Sequence, residues 1–273
     1  VFSKLSISIV LLLQFGLINS AIADFTNGGF EDTYSTSGSV TTDPINGWTL
    51  KGYTFNGSTS TTLPTSISEI NLVSPTTPGG MSDIIAAASP SLLDDYFLQG
   101  ATPSPTLSLP GTGLQSALIN LRSIHAPFTK SGTTAISGWT SIGKRATSIS
   151  QQITIQPSDF DPVDGKVHVR FIAAPVLENP SHDINQQPFF AIQLNNITTS
   201  RTGSNPLFFQ WNFASQPGAP WKDLSAGAGT NNGSNTSYQY TEWQSFDMAP
   251  GNDFIRVGDT IEVVVMASGC SLG

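Results

Sequence analysis

The chain has 273 residues, enough for one large domain or two small ones with a substantial core. Only 11% of residues are charged, the formal net charge is −8, and the 11 Lys and Arg form no cluster; this excludes the run of phosphate contacts that nucleic-acid binding needs. Sixteen Phe, five Trp and five Tyr argue against a solvated, disordered chain, and the abundance of Ser, Thr, Asn, Gly and Pro fits an all-β extracellular protein with many turns.

The N-terminus "VFSKLSISIVLLLQFGLINSAIADF" has a Lys4 n-region, a short apolar core and Ala21-Ile22-Ala23 as an A-x-A cleavage site. Residues 1–23 therefore read as a secretory signal peptide, since a membrane anchor needs about 20 apolar residues and this run is shorter. No other segment is apolar enough to span a bilayer, so the mature protein is expected to be secreted or at the cell surface, with no membrane span after cleavage. Val1 in place of Met suggests a GTG start or a clipped record.

Residues 24–273 then read as a single domain. "DFTNGGFEDTYSTSG" suggests a short first strand with a bend, and residues 54–65 an exposed loop or edge strand. "ISEINLVSP" alternates as a strand does. "SPSLLDDYFLQG" is the best helical signal, with Ser89 as N-cap and Pro90 at the first helical position, predicting a short helix near residues 91–97. Clear strands follow in "SALINLRS", "ATSISQQITIQ", "GKVHVRFIAAPVL", "PFFAIQLNNIT", "NPLFFQWNFAS", "YTEWQSFDMAP" and "GDTIEVVVMAS". In the third of these, Val167, Val169 and Phe171 point inward and Lys166, His168 and Arg170 outward. Strands so spaced, with almost no helix and no fixed-period repeat, predict a two-sheet β-sandwich of jelly-roll type. The one cysteine, Cys270, forms no internal disulfide and is either a buried thiol or pairs beyond Gly273.

An exported N-terminus leading into "NGGFED" and a following "GW" resembles the opening of secreted galactose-binding-like jelly rolls, a superfamily that includes many carbohydrate-binding modules. "ATSISQQITI" before "DGKVHVRFIAAPVL" resembles its central strand pair. More narrowly, "VRFIAAPVLENPSHDINQQPFF", "WNFASQPGAPWKDL", "YTEWQSFDMAPG" and "VVVMASGCSLG" look like a group of uncharacterised bacterial surface proteins. The resemblance implies a last strand, missing from this C-terminally truncated chain, and further extracellular domains beyond it. It also implies a structural Ca2+ where the first and last strands meet, with Asn27, Glu31 and Asp32 at the matching position; the alternative is a solvated acidic strand end.

For carbohydrate binding, exposed aromatic rings would take the apolar faces of sugars. Trp139, in the Gly/Ser-rich "ISGWTSIGKR", and Trp221 are the best candidates, although core packing is the usual fate of tryptophan. "APVLENPSHDINQQPFFAIQL" gathers Glu178, His182 and Asp183, but these fit no defensible metal or catalytic set. Its prolines mark it as a shaped hairpin connection, leaving His182, Gln186 and Gln187 as candidate ligand contacts.

No G-x-S-x-G elbow, H-E-x-x-H motif or phosphate-cradling glycine loop is present, and the glutamates sit in no recognisable catalytic pair. No catalytic residues are assigned, and no cofactor beyond the calcium. The expected function is a non-enzymatic exported module that binds a polysaccharide or another cell-surface component. The alternatives are a structural or adhesive spacer of a larger surface protein, and a glycan-active hydrolase.

Overall fold

A computed structural model describes Phe25 and residues 47–58, 63–73, 82–86, 115–119, 145–180, 182–198, 205–224, 237–242 and 244–270. These residues form antiparallel sheets with almost no helix: their only helical pieces are 3-10 turns at Ile67–Glu69 and Pro157–Asp159. The strands are β1 Thr49–Ser58, β2 Ile70–Val73, β3 Ser82–Ala86, β4 Gln115–Ile119, β5 Arg145–Thr154, β6 Val169–Ala173, β7 Val176–Asn179, β8 Phe189–Asn196, β9 Phe208–Phe213, β10 Lys222–Leu224, β11 Ser237–Tyr240, β12 Gln244–Met248 and β13 Thr260–Ser268. The segments expected to hold the signal peptide, the first strand apart from Phe25, and the 91–97 helix lie outside the described residues. No helix among the described residues is long and apolar enough to cross a membrane.

The largest sheet has six strands in the order β2-β1-β5-β13-β8-β9. Its centre is β13, flanked by β5 and β8, with Val265 opposite Ile149 on one side and Ile192 on the other. Because side chains alternate along a strand, Ile261 and Val263 share a face with Phe190, Ile192 and Leu194. That face packs against Val169 of β6 and Phe246 and Met248 of β12, in one cluster that also takes in Ile155, Val167 and Ile255. Ile192, Leu194, Met248 and Ile261 are fully buried, and each such side chain contributes about 1.5–3 kcal/mol of transfer free energy.

The opposite face is apolar too. Phe55, Phe189, Ala191, Trp211, Phe213 and Met266 form a second cluster, joined by Ile67, Ile70 and Ile184. Phe189 stacks on Trp211 with centroids 3.9 Å apart and meets Phe55 edge-on at 5.1 Å. The turn after β1 reaches across this face, where Gln193 Oε1 accepts from Ile67 N–H at 2.8 Å and from Ser66 Oγ at 3.1 Å. A second cover comes from the β7–β8 connection, which accepts a 2.9 Å hydrogen bond from Ser58 N–H at the carbonyl of Asn185.

Two of the smaller sheets, β12-β6 and β10-β11-β7, follow one another along the chain as a bent ribbon, and β3 and β4 pair with each other. β6 pairs with β12 and β7 with β11, so two consecutive strands face two others in antiparallel register. The bend falls at Pro175, whose carbonyl accepts from Thr241 N–H at 3.1 Å. A proline there cannot donate to a ladder, which accounts for the break in a segment that reads as one strand in sequence.

Residues 49–58 form β1, which pairs with β5 over residues 49–54 and with β2 over residues 54–58, so in the 54–65 segment expected to be an exposed loop or edge strand residues 55–58 pair on one side only. One expectation is corrected. The β7–β8 connection is not a hairpin: β7 pairs with β11 and β8 with β13 and β9, so the loop carries the chain from the ribbon to the large sheet.

Candidate functional site

Two sets of polar side chains stand out. The first surrounds His168. The segment between Phe160 and Val167, which form an isolated bridge, closes as a tight turn. Asp161 Oδ1 accepts from Val163 N–H at 2.8 Å, Gly165 N–H donates to the Asp161 carbonyl at 2.7 Å, and Asp164 Oδ1 accepts from Lys166 N–H at 3.0 Å. Short acidic side chains that bond their own backbone two residues on are suited to such turns. Gly165 takes φ of 71°, a left-handed conformation that glycine adopts without steric cost.

The turn folds over His168. Sequence alternation places His168 and Arg170 on the face away from the core, which is the side they occupy, but His168 is buried rather than solvent-facing. Its Nε2 lies 3.1 Å from Asp164 Oδ2, and its Nδ1 lies 2.8 Å from Asp247 Oδ1 on β12. Arg170 Nε donates to the other Asp247 oxygen at 3.0 Å, and Arg170 and Asp247 are register partners across β6 and β12. Burial pulls the His168 pKa down, but the hydrogen bonds to Asp247 and Asp164 outweigh it and leave the pKa raised. For Asp247, burial pushes upward and the bonds from His168 and Arg170 prevail, so its pKa is lowered. Asp164 is lowered chiefly by the Lys166 amide, with burial opposing and His168 assisting. One ligand atom each of Asp161, Asp164 and His168 lies within 4.8 Å of the others. Nothing in the sequence singled this set out: the D-x-x-D-x-x-x-H spacing becomes a cluster only once the turn closes.

The second set holds the sequence-derived ligand candidates. Gln187 is buried, its Nε2 donates to the His182 carbonyl at 3.0 Å, and its Oε1 has no hydrogen-bond partner. His182 Nδ1 is likewise without a partner. Gln186 is half-buried in the same loop, with its amide donating to the Asp183 carbonyl at 2.8 Å. Asn179, the last residue of β7, carries an unpartnered Oδ1.

Trp221 is half-buried, and its Nε1 has no partner. It precedes Lys222, which registers with Tyr240 and through it with Val176, so Trp221 sits level with Thr241 and Pro175. Thr241 Oγ1 and Gln244 Nε2 are unpartnered there as well. The structure therefore brings His182, Gln186 and Gln187 together and sets Trp221 at the opposite end of β7. Trp139 and the calcium candidates Asn27, Glu31 and Asp32 lie outside the described residues.

Comparison with known proteins returned no matching family model, curated protein or solved structure.

Proposed function

We propose that the chain is an exported or cell-surface, non-catalytic module of galactose-binding-like jelly-roll type that binds a carbohydrate or another extracellular surface component. The observation that carries this reading is the set of unpartnered polar atoms at the two ends of β7. Asn179, His182 and Gln187 hold one end, and Trp221 and Thr241 the other. A buried donor or acceptor left unmade costs about 1–3 kcal/mol, and buried polar groups are otherwise almost always paired. These atoms are shielded from solvent, so a sugar hydroxyl, which donates and accepts, reaches them through rotation of the half-buried Asn179, His182 and Trp221 side chains.

The three residue steps from Val176 to Asn179 span about 10 Å of strand. That is room for a short oligosaccharide rather than a single ring, which is why a polysaccharide is favoured. The jelly-roll reading draws on the six-stranded sheet packed face to face with the β6–β12 ribbon through one apolar cluster.

A structural or adhesive spacer is the second reading, and the burial of Trp211 against Phe189 favours it: this ring packs the core instead of forming a platform. A glycan array probed with the folded chain separates the two. Retention on a glycan class is expected for the binder; a blank array, with no retention on insoluble polysaccharides, contradicts it.

A further inference from the structure

We propose that His168 is a pH-responsive clamp: the protonation of its ring decides whether Nδ1 donates to Asp247 or accepts from Arg170, and with it how firmly the 160–167 turn is tied to β6 and β12. The observation behind this is that Nδ1 has two neighbours with opposite demands. Asp247 Oδ1 lies 2.8 Å away and Arg170 Nη2 lies 3.1 Å away. A carboxylate can only accept a hydrogen bond, and a guanidinium can only donate one. Nδ1 therefore serves Asp247 when it carries a proton and Arg170 when it does not. Nε2 faces Asp164 Oδ2 at 3.1 Å, again a carboxylate that can only accept, so Nε2 keeps its proton in both states.

In the protonated state the imidazolium donates from both nitrogens and bridges two carboxylates, one on the turn and one on β12. Arg170 then keeps its Nε bond to Asp247 Oδ2 at 3.0 Å. In the neutral state Nε2–H still reaches Asp164, but the Nδ1 lone pair opposes Asp247 Oδ1, and Arg170 Nη2 takes that lone pair instead. Loss of one proton thus ends the bond to Asp247 and leaves the bond to Asp164 with an uncharged donor. Bonds between two ionised groups are the stronger kind, so the turn is held less firmly. Water does little to compensate, because His168 is only 9% exposed.

The charged groups facing the ring come from each element packed on it. The turn supplies Asp164 and the buried Asp161, whose carboxylate lies within 4.8 Å. β6 supplies Arg170, and β12 supplies Asp247. Lys166 lies next to Asp164 and favours its ionised form. Burial disfavours the charged ring, and Arg170 adds to that, but the bonds to Asp247 and Asp164 prevail and leave the His168 pKa raised. A group whose pKa is raised on folding contributes its stability in full below the unfolded value, about 6.5 for histidine, and loses it as pH rises through the folded value. The clamp is therefore tight in acid and slackens as the pH rises.

The test is a pH titration of the isotope-labelled full chain by NMR. It reads the His168 ring nitrogens and the exchange of the Gly165 amide, which donates to the Asp161 carbonyl at 2.7 Å within the turn. His168 is expected to titrate at higher pH than in the urea-unfolded chain. It should carry protons on both nitrogens below its pKa and be the Nε2–H tautomer above it. Exchange of the Gly165 amide, corrected for the intrinsic rate, is expected to accelerate over the same titration. Asp164→Asn and Asp247→Asn, both at partly exposed positions, are expected to lower the His168 pKa, and Arg170→Gln to raise it. The proposal is overturned if the neutral ring is the Nδ1–H tautomer, if His168 titrates no higher than in the unfolded chain, or if Gly165 exchange ignores its protonation. These three readings need only the wild-type protein, so a variant that fails to fold leaves the test intact. None of them bears on carbohydrate binding at the ends of β7.

Discussion

His168 and Asp247, 79 positions apart in sequence, are joined by a 2.8 Å hydrogen bond that ties the turn before β6 to the middle of β12. Arg170 takes the remaining Asp247 oxygen, so one carboxylate holds both His168 and Arg170. Asp247 is half-exposed, and solvent moderates what the pair contributes. A double-mutant cycle with His168→Gln and Asp247→Asn, measured by urea unfolding, is expected to give a coupling of about 0.5–1.5 kcal/mol. A coupling near zero would show that the two side chains do not support each other.

Gly165 lets that turn close. Its φ of 71° is the left-handed region, and a Cβ there would meet nothing closer than Asn252 Nδ2 at 3.7 Å. Space is therefore not the obstacle; backbone conformation is. Gly165→Ala is expected to destabilise the protein by about 1–2 kcal/mol, read from the denaturation midpoint, whereas an unchanged midpoint would mean that the turn relaxes freely.

Phe189 holds both the aromatic stack and the start of β8. It is fully buried against Trp211 and Phe55. Phe189→Ala is expected to cost about 3–5 kcal/mol. Phe254, 46% exposed, offers a contrast: Phe254→Ser is expected to change stability by no more than about 0.5 kcal/mol. Equal losses from the two would contradict the core described for the large sheet.

The turn after β1 carries a local pH dependence. Glu69 accepts from Thr65 Oγ1 at 2.6 Å and from Thr65 N–H at 3.1 Å, and these bonds lower its pKa. A carboxylate lowered on folding contributes stability above its unfolded pKa and loses it as pH falls through the folded one. Protection of the Thr65 amide from hydrogen exchange is thus expected to persist at neutral pH and to decline as Glu69 is protonated, after correction for the intrinsic exchange rate. Protection in Glu69→Gln should show no such decline. A wild-type profile identical to the variant's would remove Glu69 as the cause.

Strand alternation made much of the fold legible. Ile149 and Ile153 alternate as β5 requires, and Ile261 and Val263 do the same in β13, since the pattern reports directly which face is buried. Pairing was not legible. Nothing in "KVHVRFIAAPVL" says that the strand breaks at Pro175 and that its halves take β12 and β11 as partners, because pairing depends on residues far away in the sequence, such as Tyr240 opposite Val176. The candidate side chains were legible in part. His182, Gln186 and Gln187 are local neighbours, and sequence proximity kept them together. His168 looked like an outward strand residue because alternation gives the face and says nothing of what folds over it, here the 161–165 turn.

The most direct test of carbohydrate binding is depletion of the folded chain from solution by a panel of insoluble polysaccharides, comparing wild type with the His182→Ala/Gln187→Ala double variant. Depletion of the wild type by at least one polymer, and loss of most of that depletion in a variant with unchanged circular dichroism, is the expected result. A wild-type chain that no polymer retains, or a folded double variant retained as well as the wild type, would contradict a carbohydrate site at the His182–Gln187 loop.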